Sequence, residues 1–470
     1  MAKLTIRCDF FIENPDPKTI ETIRSCLCEM NRVEAIELTH GVLNSTLDEI
    51  FRDLPKSAPQ LHTLRIGGYS LPLYGTPSSI GEDFLHDTER LQCVELIDCM
   101  ISWDSPLLTG LTRLTLEVPD FLISNSSINQ FLHALQRMPA LTDLRLKDSI
   151  PDNSEGPSTY PVVDLPCLQI LNISSGVDAL TAVLCHVTFP HSAVLDLTCQ
   201  EKQSTQIDFS NFFSVLATKF PSSLVFRSLS LQLADIIQSS QTLGLELCLW
   251  TTANILDYFS PTPQARLVLI WPSSQATNDV NFMKAFTCVL DAMSLPFLTH
   301  LRASTINYID APTWIKAFIK LPLLEWVSVR GYATHRFLEA LVYKTQTAEK
   351  LKTAYRNVLL PKLRYICIER TNFDATIPGS ISVDKLLDYL MERCERDAEV
   401  QVLCLDGCYY ISSDDVARLK EIVVDVIWDG VEREVSQYES EEEGDYDDDG
   451  NSFNDLDYDD DFPSSSVESY

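Results

Sequence analysis

Met138-Pro-Ala-Leu-Thr-Asp-Leu-Arg-Leu146 reads as a proline-fixed turn followed by a strand that sends Leu141, Leu144 and Leu146 to one side. Proline fixes φ and removes a donor, so it suits the approach to a strand better than its interior. Alternation of Leu with other residues puts the leucines on one face and the intervening side chains on the other. The same phrase returns at Ala58-Pro59-Gln-Leu61-His-Thr-Leu64-Arg-Ile66, Leu165-Pro166-Cys-Leu168-Gln-Ile-Leu171-Asn-Ile173 and Leu295-Pro296-Phe-Leu298-Thr-His-Leu301. It returns again at Leu321-Pro322-Leu-Leu324-Glu-Trp-Val327-Ser-Val329 and Leu360-Pro361-Lys-Leu363-Arg-Tyr-Ile366-Cys-Ile368. Leu91-Gln-Cys-Val94-Glu-Leu96 and Leu111-Thr-Arg-Leu114-Thr-Leu116 are copies without the proline. Such a unit cannot bury its apolar face alone, whereas stacked units share a continuous core.

Between these strands lie segments with helical spacing: about Pro17 to Met30, Thr46 to Leu54, Ile128 to Met138, Phe209 to Phe220, Val280 to Met293, Thr313 to Leu321, Arg336 to Tyr355, Val383 to Arg396 and Val416 to about Val426. Strand, turn and helix at intervals of twenty to forty residues is the leucine-rich-repeat pattern. The fold expected is therefore α/β: an irregular leucine-rich-repeat solenoid over 1–430, a curved parallel sheet with outer helices, and a disordered acidic tail over 431–470. Residues 176–275 are the least legible. Val194 to Leu197, Leu229 to Leu233, Leu243 to Leu249 and Arg266 to Ile270 alternate well enough for strands, lack the proline phrase, and read as drifted repeats. Residues 151–161 read as an exposed loop.

Of the chain's net charge of -31, residues 432–470 carry -15, with 16 Asp/Glu against the single Arg433. A tract of this composition cannot bury enough apolar surface to offset the entropy of ordering. Its bland role is solubility; contact with basic partners such as histones is a second reading. Phosphorylation is a third, since Ser436, Ser440, Ser452 and Ser465 each have an acid three residues on. The fourteen cysteines form no framework, the first residues lack an apolar signal core, and no apolar run approaches the ~20 residues of a membrane span. A monomer in the cytoplasm or nucleus, binding neither nucleic acid nor membrane, is the expectation.

Two stretches resemble a known family. Leu403-Cys-Leu-Asp-Gly-Cys408-Tyr-Tyr-Ile411-Ser-Ser-Asp414 resembles the cysteine-containing repeat common in F-box proteins, and Cys99 to Leu116 is similar to the repeat region of the F-box-like families of filamentous fungi. The resemblance implies a non-enzymatic protein-interaction scaffold, like the substrate-recognition part of a ubiquitin-ligase adaptor. The F-box itself is missing: Leu47-Asp-Glu49-Ile50-Phe51 is its nearest echo and reads as a repeat helix. Skp1 and cullin are therefore expected as partners only if an F-box lies upstream. The acidic tail also makes the chain similar to acidic leucine-rich nuclear phosphoproteins and Ran GTPase-activating proteins, which implies the alternative of a small-GTPase regulator or histone binder.

No phosphate-binding glycine loop or nucleophile elbow is present. Cys185, His186 and His191 fit no zinc spacing and read as structural. No catalytic residue, cofactor or metal is assigned. The candidate site is instead the concave face, formed by the residues that separate and flank the inward positions of each strand. Arg65, Arg113, Arg145, Lys147, Arg302, Trp326, Arg330 and Tyr365 stand there, with more cations than acids among the strands read, the reverse of the chain as a whole. Arg, Trp and Tyr are the residues enriched at interface hot spots.

Overall fold

The computed structural model describes residues 3–9, 16–51, 57–69, 78–80, 85, 87–118, 127–151, 160–201, 208–221, 223–234, 242–253, 262–272, 278–293, 295–304, 309–331, 333–341, 359–374, 376 and 381–434. The N-terminal elements are β1 (Leu4–Asp9), α1 (Pro17–Leu27), β2 (Val33–Leu43), α2 (Asn44–Phe51), β3 (Thr63–Tyr69), β4 (Ser78–Ile80), β5 (Cys93–Ile97), β6 (Cys99–Ile101) and β7 (Arg113–Glu117). Then come α3 (Ile128–Gln136), β8 (Asp143–Lys147), β9 (Val163–Asp164), β10 (Ile170–Gly176), α4 (Val177–His186), β11 (Val187–Thr188) and β12 (Val194–Gln200). The second half holds α5 (Ser210–Thr218), β13 (Ser228–Leu233), β14 (Thr242–Trp250), β15 (Ala265–Pro272), α6 (Asn278–Ala292), β16 (His300–Ser304), α7 (Ala311–Lys320), β17 (Trp326–Arg330) and α8 (Ala333–Leu341). It closes with β18 (Tyr365–Glu369), α9 (Val383–Cys394), β19 (Val402–Asp406), α10 (Ser413–Lys420) and β20 (Asp425–Trp428).

The fold is mixed α/β. One open sheet of 16 strands runs β1-β2-β3-β5-β7-β8-β10-β12-β15-β14-β13-β16-β17-β18-β19-β20, and two small two-stranded sheets pair β4 with β6 and β9 with β11. The large sheet is parallel except at β14, which is antiparallel to both neighbours, β13 and β15. The proline phrase explains how each strand starts. Leu61, Leu141, Leu168, Leu298, Leu324 and Leu363 each donate their N–H to the carbonyl three residues back, at 3.1–3.2 Å, with the proline second in the turn. That is the turn position proline's φ suits. The next residue extends the ladder: Thr112 O accepts from Thr142 N and Asp143 N, and Thr142 O from Gln169 N and Ile170 N.

Inward side chains align in rows. Leu64, Val94, Leu114, Leu144, Leu171 and Leu195 share one register row, all at most 2% exposed. The buried faces of the helices pack on these rows in one apolar core. Side chains cap several helices: Ser127 with Gln130 and Ser412 with Asp415 form capping boxes, and Asp310 accepts from Thr313 N at 2.9 Å before α7.

Three expectations need correction. The strand at 243–249 is not a drifted copy of a parallel unit, because β14 runs the other way; the segment between β13 and β14, residues 234–241, is too short for the crossover a parallel pair requires. Helix α4 was not foreseen: Val177, Ala179, Leu180, Thr181, Ala182, Val183 and Leu184 are all buried, so no polar stripe marks its period. The helix expected from Val416 to Val426 ends at Lys420, and the β-branched run Val423-Val424-Asp425-Val426-Ile427 leads into β20. Of the helix expected over 336–355, α8 accounts for the part up to Leu341, and 342–358 lie outside the described residues. Most of the loop read at 151–161, the tail from 435 onward, and Ser436, Ser440, Ser452 and Ser465 also lie outside them.

Candidate functional site

The face of the sheet opposite the main core carries the alternate residues of every strand, and it has chemistry of its own. Across four adjacent strands, one register row reads Arg7, Glu37, Arg65, Glu95. Arg7 pairs with Glu37 at 3.5 Å, and Arg65 sits between Glu37 at 3.6 Å and Glu95 at 3.2 Å. Opposite charges directly across a strand pair stabilise the sheet, and the alternation of sign along the row gives each charge such a partner.

At the centre a polar network spans β10, β12, β15, β14 and β13. Asn172 Nδ2 donates to Asp196 Oδ2 at 3.2 Å, and Arg266 donates to Asp196 Oδ1 at 3.1 Å and to Glu246 Oε1 at 2.7 Å. Gln232 Nε2 donates to Glu246 Oε2 at 3.0 Å. Burial works against the charge of Glu246, yet the hydrogen bonds from Gln232 and Arg266 hold its carboxyl below the usual range.

Beyond the network the face becomes aromatic. His300, Trp326 and Tyr365 occupy one register row on β16, β17 and β18. His300 stacks on Trp326 and Trp326 on Tyr365, each pair with ring centroids 5.7 Å apart and planes within 28°. Trp250, Trp326 and Cys367 form an apolar cluster separate from the main core, packed by Cys248, Tyr365 and Cys404, with no helix residue among them. Trp326 is 6% exposed. Its Nε1 finds no hydrogen-bonding geometry with any described residue, although it lies close enough to the Tyr365 phenol to be felt there. Burial lowers the pKa of His300, against the pull of Glu325, and burial with the nearby thiols of Cys404 and Cys367 raises that of Tyr365. Two rows along this face, Glu369 accepts from Arg302 at 3.1 Å and from Ser328 Oγ at 2.6 Å, both in the row between.

No family model matches the chain, and no curated protein matches it.

Register places Arg65, Arg113, Arg145, Lys147, Arg302, Trp326, Arg330 and Tyr365 on this one face, Trp326 and Tyr365 in contact and the cations spread from β3 to β17. Most of the cations expected there are paired with acids. Arg65 is held by two glutamates, Arg145 bonds Asp143 through two nitrogens at 3.0 and 3.2 Å, Lys147 pairs with Glu117, and Arg302 pairs with Glu369. Among the described residues only Arg113 and Arg330 of this set make no ion pair. Trp250, Glu246, Cys248, Arg266 and Asp196 were missed, since their strands lack the proline phrase. The outward alternation Glu246, Cys248, Trp250 between Leu245, Leu247 and Leu249 was the available signal. Among the described residues no group of His, Cys, Asp and Glu is arranged to hold a metal, and no helix is long and apolar enough to cross a membrane.

Proposed function

We propose that the chain is a protein-interaction scaffold whose polar sheet face receives a protein partner on the aromatic row of His300, Trp326 and Tyr365. The observation that carries this reading is the second apolar cluster, set on the face away from the helices and apart from the core that holds the fold together. His300 and Tyr365 are part-exposed on either side of the buried Trp326, and stacked aromatics flanked by neutralised ion pairs suit a partner's apolar segment. The leucine-rich-repeat solenoid reading is supported by the parallel strands that follow chain order from β1 to β12 and from β16 to β20. The resemblance to the cysteine-containing repeat of F-box proteins gains support at β19, where Gly407 turns at φ +59° and Cys408 is buried with its thiol donating to Ile368 O at 3.4 Å. By that resemblance the chain acts as the substrate-recognition part of a ubiquitin-ligase adaptor.

The test uses a photocrosslinking residue at Arg330 on the aromatic side of the face, and another at Ile319, which is 62% exposed on α7. Proteins captured at 330 and not at 319, and lost when Tyr365→Ala is added, are expected. The same capture from both positions would overturn the assignment of the face. Titration with purified Skp1 and with core histones separates the adaptor reading from the acidic-tailed alternative.

A further inference from the structure

We propose that Cys367 and Cys404 form a peroxide-responsive dithiol, in which Cys404 is oxidised first and Cys367 closes a reversible disulfide onto it. The two residues are direct register partners on the parallel pair β18 and β19, and their side chains leave the same face into the same cluster. Neighbouring strands run about 4.8 Å apart, inside the Cα separation that a disulfide spans. The two cysteines are not joined to each other in the structure. Their surroundings differ in the way the two roles require. Cys404 is half-buried and can meet a small oxidant, while Cys367 is only 7% exposed. The neighbouring Cys404 side chain and burial raise the pKa of Cys367, and the neighbouring Cys367 and Tyr365 side chains lower that of Cys404 against its burial. The thiolate is the nucleophile toward peroxide. Among the described residues β19 has only the four-residue β20 beyond it in the sheet, so its spacing from β18 can adjust without moving the rest of the sheet.

The chemistry balances with hydrogen peroxide as oxidant. The Cys404 thiolate attacks one peroxide oxygen; an S–O bond forms, the O–O bond breaks, and hydroxide leaves and takes up the proton that Cys404 had lost. The Cys367 sulfur then attacks the Cys404 sulfur; an S–S bond forms, the S–O bond breaks, and the departing hydroxide carries the Cys367 proton away as water. The two thiols give up two electrons, and the peroxide becomes two waters. A dithiol reductant reverses the bond by exchange.

The experiment treats the full chain with increasing hydrogen peroxide, blocks the remaining thiols, and maps peptides by mass spectrometry, with no partner present. A Cys367–Cys404 linkage should appear before any change at Cys28, Cys167 and Cys185, which are exposed, and dithiothreitol should remove it. In Cys404→Ser, Cys367 should stay reduced; in Cys367→Ser, Cys404 should run on to the sulfinic acid. Should either variant fail to fold, the wild-type map decides alone. Oxidation of the exposed cysteines without the linkage, or equal oxidation of all, would overturn the proposal. Because no partner enters the assay, its failure leaves the interaction reading untouched, and the reverse also holds.

Discussion

Arg393 is charged, 2% exposed, and surrounded by carbonyl oxygens. Its Nε donates to Ala398 O at 3.1 Å, Nη1 to Leu359 O at 3.0 Å and Nη2 to Leu360 O at 3.1 Å. Burial, with repulsion from Arg396, brings its pKa down to about 10, which still leaves it protonated at neutral pH. One side chain on α9 thereby ties the turn before β18 to the turn before β19. A neutral methionine of similar length would relieve the desolvated charge but take a donor from three carbonyls, of which, among the described residues, only Leu360 O keeps another, the Leu363 N–H. Each unsatisfied buried group costs about 1–3 kcal/mol, so Arg393→Met should lose ~2–4 kcal/mol net. Urea unfolding checks this; a midpoint equal to wild type would mean that water replaces the guanidinium without loss.

Among the elements, the strand ends repeat a feature as regularly as the proline turns repeat at the starts. The residue after β5, β8, β17, β18 and β19 has positive φ: Asp98, Asp148, Gly331, Arg370 and Gly407. In four of them the N–H continues the ladder to the next strand: Asp98 to Glu117 O, Asp148 to Ser174 O, Gly331 to Glu369 O and Arg370 to Asp406 O. Gly407 donates instead to Asp429 Oδ2 at 3.0 Å. Side chains pay a steric penalty in this region, and at Gly407 a Cβ would also stand 3.3 Å from Arg370 Cγ. Gly407→Ala should therefore destabilise by about 1–2 kcal/mol. Thermal melting of Gly407→Ala beside Gly331→Ala, where a Cβ meets nothing within 4 Å, isolates the contact: the first should melt lower. The reverse order would show that Arg370 moves aside freely.

Taken whole, the molecule is a long sheet in which each interior strand leans on two neighbours. Leu144 and Leu324 are fully buried in that core, and Leu→Ala at either should cost about 2–5 kcal/mol. β8 pairs only with β7 and β10. Hydrogen exchange in Leu144→Ala should thus accelerate first across β7, β8 and β10, while β17 to β19 keep their protection. Equal acceleration at both ends would mean that the core unfolds as one unit. The same long-range pairing neutralises the polar face. Arg65, Arg145, Lys147 and Arg302 already have acidic partners, which leaves Arg113 and Arg330 as the cations of that set most open to an acidic segment.

What the sequence determined by itself was local. Proline two residues before a leucine makes a turn within its own hydrogen-bonding reach, and Leu-x-Leu alternation sends side chains to opposite faces whatever strand lies alongside. The strand positions, the buried rows and the placing of Trp326 and Tyr365 on one face followed from those two rules. The tertiary structure alone decided which strands are neighbours. β15, β14 and β13 enter the sheet in reverse because hydrogen-bond partners are chosen across the fold, and the outward pattern of Thr242–Trp250 is the same for a parallel or an antiparallel strand. It also decided the electrostatics: Arg65 meets Glu37 and Glu95 only because β2 and β5 flank β3. Charge pairing falls off over ångströms of space, and a sequence does not record which of its distant residues will be brought that close.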